Sequence, residues 1–223
     1  MKCTRKQERL PRAVREARHG LALPKTARDR LNTGLGNAVP GGLFHIGNTA
    51  LLEQPLTAFF CSVRCPGNLI LKAYDLAQKW RAENQPVIGG FHSPVEREVL
   101  RILLRSSVPV CIVLARSLPK RVPPEFRRPL DEGRLLLLSP FDARTKRATQ
   151  ETGVRRNQLV AALADKVFVA YAAPGSKTET FCRAISKWTK PCFTFQSQYT
   201  ENLVNMGFSA IDPKAGAAPS KLR

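Results

Sequence analysis

The sequence predicts one α/β domain built on a doubly wound, mostly parallel sheet. Short apolar runs, such as residues 57–63 and 108–115, alternate with segments whose apolar residues recur at helical spacing. These runs are apolar throughout, which is typical of strands that are buried on both faces of a parallel sheet. The chain has 223 residues, of which 43% are hydrophobic, and this is enough for a single domain with a substantial core.

The chain before residue 155 supplies most of the predicted strands. Leu69, Ala73 and Trp80 indicate the inner face of an amphipathic helix that follows the first strand. Ser93 and Pro94 predict the start of another helix, with Ser93 as the N-cap and Pro94 at the first helical position. Further strands are predicted at residues 86–90, 108–115 and 134–138, with a proline-rich crossing at 118–129 and a polar surface loop at 139–153.

Residues 155–195 are the most informative stretch. Their pattern predicts a helix, a buried strand, a turn of small residues at 172–176, a second helix and a second strand. The turn places Ser176, Lys177 and Thr178 at a helix start, where free backbone N–H groups favour a phosphate or another anion. An ordinary strand-to-helix turn, with Ser176 as N-cap, is the simpler interpretation of the same residues.

The N-terminal segment differs in composition from the rest of the chain. Residues 1–33 contain ten Lys or Arg and three Asp or Glu, so their net charge is about +7. We therefore predict a basic, disordered or partly helical arm, which a Gly/Pro-rich linker joins to the domain. The predicted boundaries are 1–43 for arm and linker, 44–211 for the domain, and 212–223 for a mobile tail.

The charge of the whole chain points to a polyanionic partner. The formal net charge is +19 and the pI is about 10.4, and such an excess favours binding to nucleic acid. No apolar run approaches the ~18 residues of a membrane span, so we expect a cytoplasmic protein without a membrane partner. The six cysteines show no metal-ligand or redox spacing, and we predict no metal and no cofactor.

Residues that can bind anions follow the predicted strands. In a parallel sheet the carboxyl ends of the strands meet at one edge, where ligands bind. Arginine, glycine and hydroxyl groups converge there, and aromatic residues that could stack on bases are also present. The anion-binding candidates are Arg64, Gly89, Gly90, His92, Ser93, Arg116, Gly175, Ser176, Lys177 and Thr178, and the stacking candidates are Phe91, Phe141 and Tyr171.

Residues 156–163 (RNQLVAAL) and the following KVFVAYAAPGSKTETF resemble the DprA/Smf family of DNA-processing proteins. Earlier landmarks agree in order, including residues 59–64, which are similar to a strand that ends in Gly-Ser-Arg, and residues 87–90, which enter a glycine-rich turn. The resemblance covers roughly residues 44–196. It implies an extended Rossmann-like domain, and it adds Arg156 and Asn157 to the candidate site.

The resemblance also implies a function. The family binds single-stranded DNA in a basic pocket at the sheet edge and loads a recombinase, and a homodimer is possible. The related phosphoribohydrolases and nucleotide-signal sensors of the same superfamily provide the alternatives, with a single nucleotide as ligand. Their PGGxGTxxE signature differs from the sequence here, in which Glu179 directly follows Thr178. We predict no catalytic residue, although His92 is a candidate acid or base for the enzymatic alternative.

Overall fold

The computed structural model describes residues 23–36, 40 and 42–213. The strands are β1 (Phe44–Gly47), β2 (Thr57–Cys61), β3 (Val87–Gly89), β4 (Val110–Val113), β5 (Leu135–Ser139), β6 (Lys166–Tyr171), β7 (Cys192–Phe195) and β8 (Ser209–Ile211). The helices are α1 (Lys25–Leu35), α2 (Gly67–Ala82), α3 (Pro94–Leu104), α4 (Pro124–Asp131), α5 (Gln150–Leu163), α6 (Lys177–Ile185) and the short α7 (Glu201–Val204). None of these helices is long and apolar enough to cross a membrane.

The strands form one sheet in the order β1-β5-β4-β3-β2-β6-β7-β8. All neighbouring strands are parallel except β1 and β5, which are antiparallel. The chain builds the sheet outward from β2 to β5, crosses back through α5 to β6, and continues outward to β8. The predicted doubly wound, mostly parallel sheet is therefore confirmed, and its winding reverses between β2 and β6.

Helices cover both faces of the sheet. The core on one face contains residues of α2 and α3 together with Leu130 of α4. The core on the other face contains residues of α1, α5 and α6. The central strands β2, β4 and β5 are buried along their entire length, as their uninterrupted apolar sequences predict. Ser93 caps α3 through a capping box with Glu96, so this predicted helix start is also confirmed.

Three parts of the chain between residues 44 and 153 differ from the sequence prediction. A helix, α4, lies in the proline-rich crossing, because Pro124 occupies its first turn, where proline is tolerated, and Leu130 is buried. The antiparallel edge strand β1 has no counterpart in the prediction. The predicted loop at 139–153 ends early, because Thr149 caps α5 and the helix begins at Gln150.

The N-terminal boundary also needs correction. Helix α1 lies within the predicted arm at 1–43, yet Ala27 and Leu31 are completely buried in the core. Arg30 forms an ion pair with Asp165 at 2.9 Å and donates hydrogen bonds to backbone carbonyls, so its charge serves the fold. The folded domain therefore includes residues 25–35. The rest of the arm before residue 23, linker residues 37–39 and 41, and tail residues 214–223 lie outside the described residues.

Candidate nucleic-acid interface

The carboxyl ends of β2 and β6 are fastened together at the point where the winding reverses. The Ser62 N–H donates to the carbonyl of Tyr171 at 2.9 Å, and the Ala173 N–H donates to the Ser62 hydroxyl at 3.1 Å. Ser62 itself is buried. We call this side of the sheet, where the parallel strands end, the carboxyl edge. These hydrogen bonds fix the ends of its two central strands relative to each other.

A buried carboxylate organises the neighbouring turn. Glu96, which is 7% exposed, accepts hydrogen bonds from the backbone N–H groups of Cys61 at 2.9 Å, His92 at 2.7 Å and Ser93 at 3.3 Å. These contacts join the end of β2 to the turn after β3, so the carboxylate is bonded within the protein.

Arg156 is buried beneath the edge. It is 7% exposed, its Nε donates to the side-chain oxygen of Asn157 at 2.7 Å, and its Nη1 lies 3.5 Å from the carbonyl oxygen of Val113. A Cβ added to Gly90 would lie 2.0 Å from Nη1, so the guanidinium occupies space that exists only because residue 90 is glycine. Burial lowers the pKa of Arg156, and the Glu96 carboxylate opposes that shift.

A second carboxylate holds the turn between β6 and α6. Glu179 accepts hydrogen bonds from the Asn202 side chain at 2.6 Å and from the Gly175 N–H at 2.8 Å. The bond from Asn202 and then the bond from Gly175 lower the pKa of Glu179. Gly175 has a φ of 72°, a conformation that favours glycine, and the Ser176 hydroxyl caps α6 as the sequence predicts.

Four of the predicted site residues have exposed polar side chains along the carboxyl edge, and we call these four the basic row. Arg116 follows β4, His92 follows β3, Arg64 follows β2 and Lys177 follows β6, and these four strands are adjacent in the sheet. Neighbouring strands lie about 4.8 Å apart, so the strand ends beneath the row span about 14 Å. The Lys177 amine also donates to the side chain of Gln150 at 2.7 Å.

The structure therefore separates the predicted site residues into two sets. Arg64, His92, Arg116, Gly175 and Lys177 face solvent, and Thr178 is half-buried. The remaining residues support the edge from within: Gly89, Ser93 and Arg156 are buried, Asn157 and Ser176 are bonded to the protein, and the partly exposed Gly90 packs against Arg156.

Two of the three predicted stacking candidates are buried and cannot receive a base. Phe91 and Phe141 are each 6% exposed, and Arg155 covers the Phe141 ring at 5.7 Å from its centroid. Phe91 has a φ of 47°, which is unusual for a residue other than glycine, and its ring packs against Gly89. Tyr199, which follows β7 and is 44% exposed, is a better platform. Tyr199 is not among the stacking candidates that the sequence indicates.

Comparison with solved structures identifies the fold. DNA processing protein A from Helicobacter pylori matches with a TM-score of 0.69 and 21% identity, over 86% of this chain and 88% of that one. DNA processing protein A from Streptococcus pneumoniae matches with a TM-score of 0.71 and 19% identity, over 90% of this chain and 72% of that one. A search among curated protein sequences gives no match.

The sequence itself matches a family model. The match extends over residues 24–217, which includes α1 and almost all of the described domain. The family is described as DNA recombination-mediator protein A, in agreement with the resemblance to DprA/Smf that residues 156–163 and the turn after β6 indicate. The chain belongs to the DNA recombination-mediator protein A family.

Proposed function

We propose that this protein binds single-stranded DNA across the carboxyl edge of its sheet, as a DNA-processing protein of its family. Arg64, Arg116 and Lys177 contact successive phosphates, and the N-terminus of α6 adds its backbone dipole. His92 and Tyr199 contribute hydrogen-bonding and stacking groups within the same edge. The buried residues, Arg156 above all, hold the strand ends in place beneath the DNA.

The width of the basic row is the observation that carries this proposal. Its cationic side chains follow strands whose ends span about 14 Å across the sheet. A mononucleotide offers phosphate at one point only and leaves most of that row without a partner. A single strand offers a phosphate at every nucleotide, together with bases that can reach an exposed aromatic ring such as Tyr199.

The engagement of the two carboxylates favours binding over hydrolysis. A phosphoribohydrolase needs a carboxylate that is free to stabilise positive charge on the sugar as the N-glycosidic bond breaks. Glu96 already accepts three backbone N–H groups, and Glu179 is bonded to Gly175 and Asn202. Each oxygen of the two carboxylates thus already accepts at least one hydrogen bond from the protein, which favours a structural role, so we do not place the enzymatic alternative first.

The relatives support the choice of ligand. The solved structure of the Helicobacter pylori protein concerns its binding of single-stranded DNA. We extend the proposal to a recombinase as the protein partner, because the family is described as a recombination mediator. The proposal also includes a homodimer, which the family resemblance suggests, and a cytoplasmic location, which the sequence predicts.

The test is a titration of the wild-type chain with a single-stranded oligonucleotide, its duplex and a panel of nucleoside monophosphates. A row variant carries Arg64→Gln, Arg116→Gln and Lys177→Gln. We expect the wild type to bind the single strand most tightly, and the row variant to bind it at least about tenfold more weakly, because three exposed charges are lost.

A matched control variant carries Lys25→Gln, Arg183→Gln and Lys187→Gln. These substitutions remove the same amount of charge from exposed positions in α1, in α6 and just after α6, in the helical layer on one side of the sheet. This control should keep wild-type affinity for the single strand. Equal weakening in the row and control variants would reject the edge as the binding site. Tighter binding of a nucleoside monophosphate, with release of ribose 5-phosphate, would reject the function itself.

A further inference from the structure

A groove outside the proposed edge site separates α3 from α4. Its volume is about 540 Å³, within the range of ligand-binding clefts. The floor is apolar and includes a half-buried aromatic ring, whereas the α3 wall is basic. The floor residues are Phe91, Leu100, Leu104 and Phe126, the basic residues are Arg97, Arg101 and Arg105, and Glu125 is the carboxylate on the α4 side.

The three arginines form a regular series. They are four residues apart, so they lie on one side of α3 and are separated by about 6 Å along its axis. All three are exposed. Like charges at this spacing repel each other on a helix, and an extended polyanion that lies along the series relieves that repulsion.

The charges of this series are poorly neutralised by the protein. Arg97 and Arg105 form no ion pair with any residue in the described part of the chain, whereas Arg101 pairs with Glu98. The neighbouring Arg128 and Arg134 provide a contrast, because both pair with Glu132 at 2.6 Å. The groove therefore has a net positive wall, even with Glu125 opposite.

The groove begins close to the carboxyl edge along the chain. Phe91, one of its lining residues, directly follows Gly90 in the turn after β3, and α3 begins three residues later at Pro94. A strand that leaves the basic row near His92 therefore enters the groove at Arg97. From that point the exposed arginines lie along its path, one on each successive turn of α3.

We propose that this groove is a second binding track for single-stranded DNA, which continues the strand held at the carboxyl edge. Phosphates contact Arg97, Arg101 and Arg105, and a base stacks on the half-buried Phe126 ring above the apolar floor. The choice of single-stranded DNA as the ligand rests on the proposed function. The apolar floor distinguishes a strand with unpaired bases from a duplex, whose bases are already stacked.

The test compares two lengths of thymidylate on the full-length chain. Hexathymidylate fills the edge only, and a strand of about 20 nucleotides exceeds the ~4–16 nucleotides that one single-strand module covers. A groove variant carries Arg97→Gln, Arg101→Gln and Arg105→Gln. It should bind the hexamer as the wild type does and the long strand at least about tenfold more weakly, with a salt slope smaller by about 2, since each contact contributes about 0.7.

Two controls isolate the groove. The variant with Lys25→Gln, Arg183→Gln and Lys187→Gln removes equal charge elsewhere and should bind both lengths as the wild type does. Phe126→Ala should weaken binding of the long strand by about fivefold or more through lost stacking, with an unchanged salt slope. Such a loss of affinity without a change of slope is the signature of a base contact rather than a phosphate contact.

The possible results separate the two proposals. If the groove variant binds the long strand with wild-type affinity and slope while both proteins bind the hexamer, the second track is overturned and the edge site stands. Loss of hexamer binding in the groove variant would also overturn a second track, because the groove would then be the primary site. If the wild type binds neither oligonucleotide, the proposed function fails and the track fails with it. Tighter binding of polyglutamate than of the long strand would overturn the track in favour of an acidic protein.

Discussion

At the scale of single residues, the contact between Gly90 and Arg156 is the most constrained feature of the edge. The guanidinium occupies the space that a Cβ at position 90 would need. A Cβ built on Gly90 would lie only 2.0 Å from Nη1 of Arg156. Gly90→Ala should therefore displace the guanidinium and break its bond to Asn157, at a cost of about 1–3 kcal/mol in the free energy of unfolding. Urea denaturation measures this change.

The double variant distinguishes a steric contact from a general effect of alanine. In an Arg156→Ala background the clash is gone, so adding Gly90→Ala should cost less than about 0.5 kcal/mol. Gly153→Ala in α5 is the matched control, because nothing lies within 4 Å of its added Cβ, and it should not destabilise the protein. Additive costs for positions 90 and 156 would show that the two residues do not share this space.

The sequence predicts some of these residue roles and not others. Ser93 and Ser176 were identified as helix caps, because capping depends on local order along the chain. The burial of Arg156 was not predictable, since it depends on Gly90, a residue far away in the sequence. The bonds of Glu96 to Cys61 and of Glu179 to Asn202 are tertiary contacts of the same kind.

At the scale of elements, α1 is the clearest departure from the prediction. Its basic composition resembles that of a solvated arm, but Leu31 is 0% exposed and Arg30 bonds to Asp165. Leu31→Ala should therefore lower the free energy of unfolding by about 2–5 kcal/mol through lost burial and a cavity. Each kilocalorie corresponds to about 2–4 °C in Tm for a domain of this size, so thermal unfolding detects the change.

The neighbouring Asn32 provides the control for α1. It is exposed on the same helix, and Asn32→Ala should leave Tm unchanged or slightly higher, since alanine is the better helix former. If Leu31→Ala and Asn32→Ala unfold at the same temperature, α1 does not contribute to the core, and the original boundary near residue 44 would be correct.

The other missed elements have similar explanations. Pro123 and Pro124 lie at the N-terminal end of α4, where proline is tolerated. Pro129 lies inside the helix, and the burial of Pro129 and Leu130 stabilises α4 there. The strand β1 has only four residues, and its pairing with β5 is a long-range contact. By contrast, the strands β2, β4 and β6 were found easily, because their apolar runs are long and uninterrupted.

At the scale of the whole molecule, the doubly wound topology explains why charge collects on one edge. Parallel strands deliver Arg116, His92, Arg64 and Lys177 to the same side, although these residues are far apart in the sequence. The net charge of +19 indicated a polyanion but could not indicate where it binds. The sheet order indicates the carboxyl edge as the location that we propose, and the helical face that carries α3 as its proposed extension.

The salt dependence of hexathymidylate binding tests the central claim most directly. The three cationic residues of the basic row neutralise three of the five phosphates of the hexamer, which implies a slope of log K against log salt of about −2.1. A fourfold increase in salt should then weaken binding by about twentyfold. The variant with Arg64→Gln, Arg116→Gln and Lys177→Gln should have a slope near zero, because it loses all three contacts. A wild-type slope near −1, or the same slope in both proteins, would contradict binding of single-stranded DNA across this edge.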